Sequence, residues 1–288
     1  MNANTMMSGV APCAAHSIRP PAVSPGGRLL AIASSGACVS VAVLRAGPAG
    51  LECDSIAEPA GAEQSTRLLA MIDEVLGQPG LATVSAIAFD AGPGAFTGLR
   101  IACAVAQGLA FARTLPVIMV GSLEAAAWRS LRQHGASQAI VRVANDARMG
   151  ELYAMLCQVR APESPGDGPL VTPLTGPLLA RPEALPQALA RAALEQHRPE
   201  LAGQPWLPAG DAWITVELAS EWAQDFGDDG AVRAAQPADA RAIAELGWTL
   251  WREGCTVVAE QAAPVYVRDK VALDVDEQAR LRRQRAAR

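Results

Sequence analysis

The stretch Phe89-Asp90-Ala91-Gly92-Pro93-Gly94-Ala95-Phe96-Thr97-Gly98-Leu99-Arg100 decides how this chain is read. It ends an apolar run that begins at Val84, turns through glycine and proline, and opens a helix expected from Thr97 to Arg113. Gly92, Gly94 and Gly98 suit a turn that needs positive φ or a close approach of backbones. A helix start presents free N–H groups, so Gly92, Pro93, Gly94, Thr97 and Gly98 could cradle a phosphate. The spacing matches neither a Walker sequence nor G-x-G-x-x-G, because one residue too many separates the second and third glycines. A tight connection that lets the helix pack closely on a sheet is at least as good a reading.

On a wheel of about 100° per residue, the helix is apolar almost all round. Leu99, Ile101, Ala102, Val105, Ala106, Leu109, Ala110 and Phe111 cover nearly every direction, and only Arg100 and Gln107 form a polar stripe. Such a helix is buried on most sides. One sheet covers one face, so a second layer of this chain or a partner must cover the other.

The chain has 288 residues, enough for one large or two medium domains. Half of them are hydrophobic, which allows an extensive core. The net charge of −5 argues against a freestanding nucleic-acid binder. Lys270 is the single lysine, which removes a P-loop lysine. Six scattered cysteines without C-x-x-C read as thiols of a reducing cytoplasm. Three histidines lack metal-site spacing, so neither a metal nor a cofactor is expected. No apolar run is long enough for a membrane span.

Outward from the central stretch, Arg28–Ala33, Ala37–Leu44 and Leu51–Ala57 read as three antiparallel strands. A helix over Glu63–Leu76 follows, closed by Gly77. Leu68, Leu69, Ile72, Val75 and Leu76 make its core stripe, which Met71 widens to an arc of about 160°, more than one core contact needs. After the glycine turn and its helix come a strand at Pro116–Val120 and a helix at Leu123–Gln133, with Ser122 as N-cap. The order βββαβαβα is the ribonuclease H-like pattern used by actin, Hsp70 and sugar kinases. A second unit repeats it in shortened form: strands at Ala139–Ala144, Glu151–Val159, Leu170–Leu174 and Trp206–Pro208, and helices at Pro182–Leu194 and Asp239–Glu253. Asp146 and Glu151, flanking a turn, could serve as an acid–base pair, though an Asn-Asp turn is commonly structural.

These residues resemble one family. Leu30-Ala31-Ile32-Ala33-Ser34-Ser35, Arg67 to Ile72, Gly92 to Ile101 with Gln107-Gly108-Leu109-Ala110, Asp146 to Tyr153, and Pro264-Val265-Tyr266-Val267-Arg268 follow in order the hallmarks of the TsaB (YeaZ) family. That family is the dimerization subunit of the bacterial tRNA threonylcarbamoyladenosine machinery. The resemblance spans about Arg28 to Leu273. It implies an α/β, two-lobed ribonuclease H-like fold of the actin/Hsp70/sugar kinase (ASKHA) type. Residues 1–27 are then a disordered extension, 28–121 the first lobe with the dimerization helices, 122–267 the second lobe, whose last helix can return to the first, and 268–288 a charged tail.

The resemblance also implies a non-catalytic, cytoplasmic role. The chain would pair with the catalytic subunit TsaD, the ATPase TsaE would bind the pair, and the complex would form N6-threonylcarbamoyladenosine at adenosine 37 of ANN-decoding tRNAs. Contact with tRNA would come only through the complex, and a homodimer is expected when the chain is alone. Leu68, Met71, Ile72, Val75, Ile101 and Val105 are the candidate partner contacts. The alternative is an actin-like ATPase or a glycoprotease-like hydrolase. Two departures from the family bear on this: Ala33 stands where an acidic residue is usual, and Gln64 where a histidine is common.

Overall fold

A computed structural model describes residues 26–61, 63–185, 204–215 and 236–268. The expected N-terminal extension up to residue 25, most of the expected helix after Pro182 and the tail beyond Arg268 lie outside the described residues. The elements are β1 (Arg28–Ala33), β2 (Cys38–Gly47), β3 (Gly50–Pro59), α1 (Gln64–Leu76), β4 (Val84–Gly92), α2 (Phe96–Arg113), β5 (Val117–Gly121) and α3 (Ser122–His134). The second unit adds β6 (Gln138–Asp146), β7 (Leu152–Arg160), β8 (Leu170–Pro173), β9 (Leu178–Ala180), β10 (Trp206–Ala209), the short α4 (Ala212–Thr215) and α5 (Ala240–Arg252).

The first sheet has the order β3-β2-β1-β4-β5, antiparallel from β1 to β3 and parallel from β1 through β4 to β5. Its strands alternate, as a sheet buried on both faces requires. Leu30 and Ile32 of β1 join Val39, Val41 and Val43 of β2 on one face, with Leu68, Met71, Ile72 and Leu76 of α1 and Ala102, Ala106 and Ala110 of α2. Leu29, Ala31 and Ala33 point the other way, into a larger core with α3, α5 and the facing side chains of β6 and β7. The outer side of the second sheet holds a third cluster, around Ile140, Leu152, Leu156 and Trp213. The layers therefore run α1/α2, first sheet, α3/α5, second sheet, and the α4 side.

Several boundaries differ from the sequence expectation for local reasons. The third strand starts at Gly50 because Gly47 pairs with Gly50 across the hairpin turn. β4 runs on to Gly92, since the start of the glycine turn still pairs with β5 after a register shift between Asp90 and Gly92. Ser122 is not the cap of α3; Gly121 is, and the Ser122 hydroxyl donates to Asp90 instead. β9 and α4 were not legible in the sequence.

α5 packs on the inner face of the first sheet. A Cβ at Gly247 would lie 2.9 Å from the Ala88 methyl, so helix and sheet approach closely there. Asp239 caps α5 by accepting from the Ala242 N–H at 2.7 Å. Glu245 accepts from the Trp128 indole at 2.5 Å and pairs with Arg132 and Arg241, which ties α5 to α3 in the middle layer.

Candidate functional site

The glycine turn is filled by this chain's own backbone. Gly92 has φ of 104°, and the Gly92–Pro93 bond is cis. A Cβ at Gly98 would sit 1.8 Å from the Ser34 carbonyl oxygen, and one at Gly94 2.6 Å from the Ser35 Cβ. The Ser34 hydroxyl donates to the Gly98 carbonyl at 2.7 Å, and the Ala95 N–H donates to the Ser35 carbonyl at 2.9 Å. The first N–H of the α2 start thus meets the β1–β2 turn. Thr97 is exposed on the first turn of α2, and Pro93 is buried under the chain that follows α5.

Asp90 anchors the same junction. It is 1% exposed and accepts from the Ser35 hydroxyl, the Ser35 N–H at 3.3 Å, the Gly92 N–H at 3.2 Å and the Ser122 hydroxyl. Burial pushes its carboxyl above the usual range, against the pull of the Ser122, Ser35 and Gly92 donors. Glu124, on the first turn of α3, is pushed up to about 6 by burial, with the Asp90 charge adding to it. At the end of β1 stands the buried methyl of Ala33. Asp146 and Glu151 do not act as a pair: Asp146 is held by Arg148 at 3.0 Å and Glu151 by Arg268 at 2.6 Å. Among the described residues, no group of three or more His, Cys, Asp or Glu side chains could hold a metal ion. No described helix is long and apolar enough to cross a membrane.

The structure divides the six candidate partner contacts. Leu68, Met71 and Ile72 are buried in this chain's own core, which corrects the expectation that the Met71 edge of α1 points outward. They fall at i, i+3 and i+4 with Leu76 at i+8, one stripe that the sheet covers fully. Val75, Ile101 and Val105 are half-buried and border the outer surface. The outward apolar residues are others: Leu69 on α1, 50% exposed, and Phe111 on α2, 68% exposed. Leu109 is half-buried, and Ala104, Gly108 and Ala112 are exposed along α2.

The inward stripe of α2, Gly98, Leu99, Ala102, Cys103, Ala106 and Ala110, is mostly small. Ile101, Val105 and Leu109 are half-buried and flank the same core, and Phe111 projects outward. Leu69, expected in the core stripe of α1, is exposed because the stripe runs through Leu68, Met71, Ile72 and Leu76 instead. On α2 the small residues Gly98, Ala102, Ala106 and Ala110 recur every fourth position and let the helix backbone approach the sheet, and Phe111 falls outside that stripe.

Two sheets, each with helices on its outside and a shared helical layer between, define an ASKHA protein of the ribonuclease H-like class. A family described as TsaD, tRNA N6-adenosine threonylcarbamoyltransferase, matches residues 57–273. The TsaB protein of Escherichia coli is 30% identical over 73% of this chain and 83% of its own length. The Haemophilus influenzae TsaB protein is 42% identical over 43% of this chain and 51% of its own, so that match spans about half of the relative. Two solved Pseudomonas aeruginosa structures superpose on the fold. YeaZ has a TM-score of 0.62 at 31% identity, and a protein described as similar to the peptidase YeaZ has 0.63 at 32%. Each aligns over 84% of this chain and all of its own. The chain belongs to the TsaB (YeaZ) family.

Proposed function

We propose that this chain is the non-catalytic dimerization subunit of the assembly that makes N6-threonylcarbamoyladenosine at adenosine 37 of ANN-decoding tRNAs. It pairs with the catalytic subunit TsaD, and the ATPase TsaE binds the pair. The names of its relatives, tRNA threonylcarbamoyladenosine biosynthesis protein, support the pathway. One observation carries the pairing role: α1 and α2 pack on the same face of the first sheet, and they leave Leu69 and Phe111 exposed, with Val75, Ile101 and Val105 half-buried beside them. Exposed apolar patches of this kind mark protein interfaces. Isolated, the chain covers the patch by forming a symmetric homodimer through the same surface.

Co-expression with the catalytic subunit of the same organism tests this. Burying one large apolar side chain is worth roughly 1.5–3 kcal/mol, and Glu at a buried contact adds an unpaired charge. Val105→Glu and Phe111→Glu are therefore expected to abolish co-purification while the isolated variants keep a cooperative melt. A folded variant that pairs at wild-type affinity would overturn the assigned face. Met71→Glu would disrupt the core and says nothing about pairing. The rival reading, an actin-like ATPase or a glycoprotease-like hydrolase, predicts micromolar binding of Mg-ATP by the isolated chain in a calorimetric titration.

A further inference from the structure

The chain after α5 forms a strap that crosses the molecule. Val257 makes an isolated β-bridge with Val117, at the edge of the first sheet. The strap then passes beneath α2, where the Ala262 carbonyl accepts from the Gln107 side chain at 2.9 Å and from the Cys103 thiol at 3.6 Å. Further on, the Val265 N–H donates to the Ala91 carbonyl at 2.7 Å, at the end of β4. Tyr266 sets its ring 5.5 Å from Phe96 and accepts from the Arg100 guanidinium at 3.3 Å.

The strap ends on the other lobe. One guanidinium nitrogen of Arg268 donates to the Ala147 carbonyl at 3.0 Å, the Arg148 carbonyl at 3.4 Å and the Glu151 carboxylate at 2.6 Å. The other lies 2.7 Å from the Met149 sulfur. The turn that Arg268 grips is strained. Arg148 and Met149 have φ of 64° and 60°, followed by Gly150 at 74°. Two successive non-glycine residues in the left-handed region are disfavoured and persist only where the surroundings hold them. The turn closes on itself through the Ala147 N–H to the Glu151 carbonyl at 2.9 Å and the Glu151 N–H to the Arg148 carbonyl at 3.1 Å, and Arg268 adds to that hold by donating to the two carbonyls before the bend and to the Glu151 carboxylate after it. A small cavity of about 40 Å³ lies under the strap, lined by Phe96, Leu99, Tyr153, Tyr266 and Arg268 among others.

We propose that the strap is a clasp between the lobes. Its Arg268 end holds the Asp146–Gly150 turn in the left-handed form, and its Ala262 end rides on α2, so a shift of α2 loosens the turn. The clasp does not depend on what covers the outer face of α2. It makes α2 and the turn two ends of one element, and a change at either end biases the other.

Amide hydrogen exchange on the full chain tests this. Arg268→Ala is expected to raise exchange at residues 147–152 by about tenfold or more, with Val141 and Met155 of the neighbouring strands unchanged. Arg268→Lys should give a smaller rise, since a lysine cannot span both carbonyls and the carboxylate as a planar fork does. Gln107→Ala removes the shortest hydrogen bond from α2 to the strap and leaves the contacts of Cys103, Phe96 and Arg100 in place. It should raise exchange at the same 147–152 amides by about threefold, and by less in an Arg268→Lys background, where the grip on the turn is already weakened. No change at 147–152 in Gln107→Ala, or an effect fully additive with Arg268→Lys, would overturn the clasp. Should Arg268→Ala fail to fold, Arg268→Lys and Gln107→Ala give the same ordering on their own.

Discussion

α2 and α5 lie on opposite faces of the same sheet. Both are rich in alanine, but α5 sets Arg241, Glu245, Thr249 and Arg252 along one stripe, whereas α2 is apolar in most directions. Their surroundings differ. α5 is enclosed by the first sheet on one side and by α3 and the second sheet on the other, so even Glu245 and both tryptophans of α5 are buried. α2 has the sheet on one side only, and Phe111 remains 68% exposed. α5 finds two layers within this chain. On α2 the outer side of Phe111 is left open, and under the pairing proposed above a partner would cover it.

The largest effect is expected where the enclosure of α5 is complete. Glu245→Ala leaves Arg132, Arg241 and the Trp128 indole without their acceptor. Removing one member of a buried charged cluster costs about 3–5 kcal/mol. Arg241 is half exposed and can turn to water, so the lower end applies, about 3 kcal/mol. For a domain of this size that is a fall in Tm of roughly 6–12 °C. Phe111→Ala on α2 should leave the Tm of the isolated chain nearly unchanged. A similar fall in both variants would show that α2 is as enclosed as α5, and the comparison would collapse.

The middle layer also makes a pH prediction. The Glu124 carboxyl sits at about 6, raised from 4.5, chiefly by burial. A raised carboxyl means that the folded state binds the proton more tightly than the unfolded state. Ionising it therefore costs stability as pH rises from 4.5 through 6, and the cost is complete above that window. The shift corresponds to about 2 kcal/mol at most. Asp90, also raised by burial, acts with the same sign. Glu124→Gln should flatten the fall in stability between pH 5 and pH 7, measured by urea denaturation at each pH. An unchanged slope would mean that water reaches Glu124 and the junction is open.

Much of this fold is legible in the sequence, because alternation and turn chemistry are local. The period-two run of Val39, Val41 and Val43, the Gly77 stop of α1 and the βββαβαβα order all follow from neighbouring residues. The inward side of a helix is legible only when its polar side is. α1 has Arg67, Asp73 and Glu74 to mark the outside, so a core stripe from Leu68 to Leu76 can be drawn, but not its edges: Met71 is buried and Leu69 is exposed. α2 offers only Arg100 and Gln107, and Gln107 donates to the Ala262 carbonyl, so its facing is settled by packing on the sheet. The clasp was out of reach for a different reason. Its partners are main-chain carbonyls of Ala91, Ala147 and Arg148, and a carbonyl reads the same in every residue.

The smallest effect gives the sharpest contrast, because one chemical change is expected to act with opposite signs on the two helices. A Cβ at Gly247 of α5 would meet the Ala88 methyl at 2.9 Å and Leu29 at 3.3 Å. Gly247→Ala gains about 1 kcal/mol of helix propensity, but overpacking of a closed core costs about 1–3 kcal/mol, for a net loss of about 1 kcal/mol. At Gly108 of α2 a Cβ would meet nothing within 4 Å. Gly108→Ala should then stabilise the isolated chain by the full propensity term, about 1 kcal/mol. The same methyl lies on the outer face beside Val105. If a partner helix packs there closely enough to need a glycine, Gly108→Ala raises the Tm of the isolated chain and weakens pairing at once. A gain in Tm with undiminished pairing would place the contact elsewhere on α2, toward Phe111.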